Sequence, residues 1–94
     1  MELTERLEEF IENTEAALVQ AKRDAEAAYL LYLAARLADG DAAAIEFLGL
    51  AEESRESAAR YMRELLMTKA FREHLAKNEK VIEAEITAFI ESAL

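Results

Sequence analysis

The chain has no cysteine, no proline and no tryptophan, and only two glycines in 94 residues. Without cysteine there is no disulfide framework and no thiolate metal site. With Gly40 and Gly49 as the only glycines and no proline, few positions can interrupt a helix. No run approaches the roughly 20 apolar residues of a membrane span, and the opening MELTERLEEF has no basic and then apolar region of a secretory leader. Basic charge is scarce as well: 11 Lys and Arg against 20 Asp and Glu leave a formal net charge of −9. Such a balance speaks against nucleic acid and anionic membranes, both of which need a basic footprint. Glycine-rich phosphate loops are missing, and neither Ser54 nor Ser57 lies within obvious reach of the one histidine that would act as base. The expected setting is cytoplasmic, with no nucleic-acid or membrane partner.

What remains is a helix-forming composition. One third of the residues are charged, and 20 alanines account for much of the 53% apolar fraction. Alanine favours helix and lets helices approach closely, but it buries little area per residue. A chain of this size forms one domain, 1–94, and buries only roughly two-thirds of its unfolded surface, so self-association would add considerably to its stability. The fold class expected is all-α.

Hydrophobic periodicity divides the chain into helices over about 3–38, 41–66 and 69–93. The first carries Leu7, Phe10/Ile11, Thr14, Ala17/Leu18, Ala21, Asp24/Ala25, Ala28, Leu31/Tyr32 and Ala35 on one stripe. Asn13-Thr14 has capping chemistry, which leaves a break there open. Asp39-Gly40-Asp41 reads as the turn, with a glycine suited to the left-handed region and an aspartate N-cap for the second helix. The second helix presents Phe47, Leu50, Ser54, Ser57/Ala58, Tyr61 and Leu65. Gly49 inside it costs up to about 1 kcal/mol against alanine, for which a close helix contact would be the reason. Thr68 is the expected N-cap of the third helix, whose stripe is Phe71, His74/Leu75, Asn78, Val81/Ile82, Glu85/Ile86, Phe89 and Ala93.

The helix before the turn is apolar on its other side too, at Tyr29, Leu30, Leu33 and Leu37. A helix apolar nearly all round needs cover all round, so these four are expected at a subunit interface of a homo-oligomer. Charge is unevenly placed along the chain. Glu2, Glu5, Glu8, Glu9, Glu12 and Glu15 are answered by Arg6 alone, whereas Arg55, Arg60, Arg63, Lys69, Arg72 and Lys77 meet three acids. An antiparallel hairpin sets these segments side by side, and intramolecular complementarity explains the pattern.

In that register, residues whose numbers sum to about 80 lie level, so Asp24 faces Ser54 to Ser57. A second turn near 67–68 would bring Asn78 to the same level, giving a polar layer of Asp24, Ser54, Ser57 and Asn78 with Arg55 nearby. One such layer can fix helix register. Alternatively, carboxylates at the middle of a helical bundle, together with a Glu-x-x-His pair, make di-metal sites. His74, at the edge of the third stripe and level with Tyr61, reads as a hydrogen-bonded boundary residue in preference to a ligand.

The words DAEAAYLLYLA, FLGLAEESRESAARYMRELL and KAFREHLAKN resemble the ferritin-like superfamily, and most nearly the small encapsulated ferritins, over roughly residues 23 to 78. The resemblance implies an antiparallel helical hairpin plus a third helix, assembling by self-association into a ferritin-like bundle. It also implies iron as cofactor or cargo, metal sites built across a dimer interface, and a protein shell as partner. The first-helix ligand of that family falls on Asp24 and a secondary acid on Glu26, while its Glu-x-x-His pair falls on Ser54 and Ser57. Neutral hydroxyls are poor iron ligands. The expected site is therefore degenerate or displaced, with Glu53 and Glu56 beside the serines as replacement ligands, and ferroxidase activity rests on the resemblance alone. A non-catalytic helical oligomer or protein-protein interaction module, natural or engineered, is the alternative.

Overall fold

In a computed structural model describing residues 2–38 and 40–94, the chain forms two long helices, α1 (Glu2–Ala38) and α2 (Asp41–Ser92), with no strand among the described residues. Asp39 and the Glu2 side chain lie outside the described residues. The separate third helix expected from 69 is not formed, because α2 runs unbroken through Met67 and Thr68. Thr68 Oγ1 donates to the carbonyls of Glu64 at 2.7 Å and Leu65 at 3.2 Å, and so serves its own helix in place of capping a new one. Thr14 does the same in α1, donating to Phe10 O at 2.8 Å, and α1 passes Asn13 without a break. No described helix is long and apolar enough to cross a membrane.

Gly40 has φ 85°, a left-handed value that only glycine adopts without strain, and its N–H closes α1 by donating to Ala35 O at 3.1 Å. The N-cap of α2 is Gly40 itself, not an aspartate. Asp41 is instead the first helical residue, where its negative charge favours the positive end of the helix dipole.

The two helices pack antiparallel along one seam. On α1 the buried positions Ile11, Thr14, Leu18, Ala21, Ala28 and Ala35, with half-buried Ala25 and Tyr32 between them, alternate in steps of three and four. On α2 the matching seam is Ala44, Phe47, Ala51, Ser54, Ala58, Tyr61, Leu65, Thr68 and Leu75. This 3.5-residue period keeps one stripe against a partner when a helix pair supercoils left-handed. Near the turn the seam is mostly small, with Ala35 level with Ala44 and Ala28 with Ala51. Further out Ile11, Leu18 and Leu65 form a core that Leu7, Ala58 and Tyr61 cover. Each of the three large aliphatic residues contributes roughly 1.5 to 3 kcal/mol by burial, so stability is concentrated away from the turn. Exposed ion pairs tie the same half: Arg72 Nη1 lies 3.2 Å from Glu8 Oε1, and Lys69 Nζ lies 4.0 Å from Glu15 Oε2. Each is worth little because both partners are solvated.

At Asn78 the backbone leaves helical values (φ −129°, ψ 28°) and α2 bends. A straight 52-residue helix would be about 78 Å long, whereas the longest dimension of the chain is 60 Å. The bend falls where α1 begins, and the arm beyond it lies against that end, with Glu83, Ile86, Thr87 and Ile90 lining a cleft with Leu3 and Arg6. The radius of gyration is 19.6 Å, where a globular domain of this length has about 12 Å. Accessible surface is 7213 Å², against about 5,500 Å² for a typical monomer of this mass. Much of the apolar surface is consequently open: Leu37 is 91% exposed and Leu30 59%.

Candidate functional site

The hairpin register brings Asp24, Ser54 and Ser57 to one shallow cleft of about 270 Å³, with Gln20, Ala21 and Tyr61 in its walls. The alanines of the seam make this possible, because small side chains beside Asp24 leave room for the serine hydroxyls. Asp24 is exposed, and its Oδ1 accepts a 2.8 Å hydrogen bond from Gln20 Nε2 one turn earlier. Ser54 and Ser57 are half-buried. Asp24 is thus a rim carboxylate held by its own helix, not the member of a sealed layer.

The remaining candidates are dispersed. Arg55 lies on the other side of the hairpin, where it shares a groove of about 290 Å³ with Glu26, Tyr29, Leu48 and Glu52. Glu53 and Glu56 line an outer hollow of α2 with Arg60 and Arg63, which supply opposite charge. Asn78 is not level with the serines, because without a second turn it stands about 30 Å further along α2 from Ser57; its Nδ2 donates to His74 O at 3.3 Å. His74 is exposed and belongs to the same helix as Tyr61, so the two do not face one another across helices. Among the described residues no three His, Cys, Asp or Glu side chains converge as a metal-binding group. One carboxylate and two hydroxyls suit water or a loosely held hard cation better than iron.

The four residues expected at a subunit interface are all exposed in the single chain: Tyr29, Leu30, Leu33 and Leu37. The Tyr29 and Tyr32 rings stand 5.3 Å apart at an interplanar angle of 50°, and the Arg36 guanidinium lies 6.0 Å from the Tyr32 ring centroid. The groove between Tyr29 and Leu48 matches no motif in the sequence; its lining residues stand three or four apart on each helix, beside the seam. Gly49 is exposed, and a Cβ built on it meets nothing within 4 Å. Within one chain, therefore, no close helix contact accounts for that glycine.

The chain matches no protein family, and neither a curated protein nor a solved structure matches it.

Proposed function

We propose that this chain is a non-catalytic building block, a helical hairpin that assembles with copies of itself into a bundle. The observation that carries this reading is the apolar surface left open on both sides of a two-helix chain, about 1,700 Å² more total surface than a monomer of this mass usually keeps. Two helices cannot bury more than one stripe each, and α1 has apolar residues well beyond its seam. Light scattering at micromolar concentration tests it: the expected mass is a multiple of 10.6 kDa. Leu33→Glu with Leu37→Glu should move it toward one chain, and a wild-type monomer would sink the proposal.

One observation favours a second reading, a ferritin-like iron-handling lineage with a degenerate di-metal site and a shell partner. Asp24, Ser54 and Ser57 meet in one cleft, at the level where that pattern places its ligands. On this reading iron oxidation is lost with the two helix ligands. Aerobic ferrous iron should be oxidised little faster than in buffer, and rapid saturable oxidation abolished by Asp24→Ala would instead support a working, displaced site.

A further inference from the structure

One face of the hairpin is built from columns of residues seven apart, apolar at both ends and charged in the middle. On α2 they are Leu48, Arg55, Met62 and Ile45, Glu52, Ala59, Leu66; on α1 the column is Val19, Glu26, Leu33, with Lys22 and Tyr29 beside it. Seven residues is nearly two helical turns, so each column stays on one side of its helix. Ile45, Tyr29, Leu66, Met62 and Val19 are all exposed, and Arg55, Glu26 and Glu52 line the groove between the helices. Measured from the turn, an apolar patch (Tyr29, Leu33, Ile45, Leu48) lies about two turns out. A charged level (Lys22, Glu26, Glu52, Arg55) lies about four turns out, and a second apolar patch (Val19, Met62, Leu66) about six.

We infer that this face is where a second copy of the chain docks, antiparallel to the first, about a two-fold axis through the charged level. The inference rests on the self-association proposed above and adds its geometry. A copy turned end for end lays its six-turn patch on the two-turn patch of the first, so Leu48 meets Met62 and Ile45 meets Leu66. The charged level meets itself with two acids and two bases from each chain. Glu26 then comes opposite Lys22, and Glu52 opposite Arg55. Among the described residues none of these four charges has an ion-pair or hydrogen-bond partner within its own chain. A parallel arrangement sets each level on itself and has no need of columns that read alike in both directions; the antiparallel one requires them. The opposite face offers Phe10, Leu31, Leu50 and Phe71, but stacking Phe10 on Leu31 and Leu50 on Phe71 leaves Asp24 with no base to answer it and sets Arg60 beside its own copy. The docking face is about 33 Å long and two helices, about 20 Å, wide. That is on the order of 700 Å² before side-chain relief, close to the roughly 800 Å² per partner of a stable interface.

The absence of native cysteine makes the test direct. Chains carrying Ile45→Cys and chains carrying Leu66→Cys are mixed, allowed to exchange and oxidised. The expected result is a disulfide dimer in the mixture and little in either variant alone, since the two copies of residue 45 stand about 32 Å apart. A dimer formed as readily between Ile45→Cys and Leu33→Cys chains would mark parallel stacking and overturn the geometry. A second pair of variants tests the face itself. Lys22→Glu with Arg55→Glu makes the central level wholly acidic, and Glu26→Lys with Glu52→Lys makes it wholly basic. Each should fall from about twice 10.6 kDa to 10.6 kDa, and the 1:1 mixture should recover the dimer mass. Variants that both stay associated overturn the docking face while leaving self-association intact, whereas a monomeric wild type overturns both.

Discussion

The Thr4 hydroxyl donates a 3.0 Å hydrogen bond to Glu79 Oε1, joining the first turn of α1 to the residue directly after the bend of α2, 75 positions away. The bend is thereby tied to the first turn of α1. Removing the bond with Thr4→Val is expected to lower stability by roughly 0.5 to 1.5 kcal/mol. A double-mutant cycle with Glu79→Ala in urea denaturation checks it, and zero coupling would mean that the bond holds nothing.

Gly49→Ala should raise stability by up to about 1 kcal/mol, since the helix gains a better former and the added Cβ meets no atom of the chain within 4 Å. Thermal unfolding followed by circular dichroism reads the shift. If the variant unfolds earlier and associates less, an intersubunit contact at Gly49 accounts for the glycine.

The two halves of the seam should respond oppositely to side-chain size. Leu65→Ala empties a core position that is 5% exposed and is expected to cost about 2 to 5 kcal/mol. Ala51→Leu, in the small-residue half, overpacks the seam and should cost about 1 to 3 kcal/mol. Denaturant midpoints measure both, and a neutral Ala51→Leu would mean that the helices near the turn are not closely apposed.

Ser54→Glu with Ser57→His places a Glu-x-x-His pair in the cleft beside Asp24. Because both serines are only half-buried, the larger side chains have an outlet to solvent, and the double variant is expected to fold. It should bind cobalt or zinc and melt higher as metal concentration rises, where the parent does not. A folded double variant with no metal-dependent shift would rule out the ferritin-like superposition.

Helix content, the position of the turn and the antiparallel register were all legible in the sequence, because they depend on local signals. Absent proline, a glycine able to take positive φ and period-3.5 apolar spacing act within a few residues of chain, and the uneven charge of the two ends, which reappears as Glu8 against Arg72, agrees with the pairing that one turn sets. The sequence also determined that Asp24 stands level with Ser54 and Ser57, since one short turn fixes that pairing. Only the tertiary structure decided what the threonines do. Thr68 and Thr14 carry the chemistry of an N-cap, yet with Leu65 and Ile11 packed across the seam, continuing the helix keeps both residues buried or half-buried, and each hydroxyl turns back to a carbonyl of its own helix. The place where α2 bends was likewise a tertiary matter: it comes at Asn78, next to the Glu79 carboxylate that accepts from Thr4 in the first turn of α1, and not at the capping signal ten residues earlier.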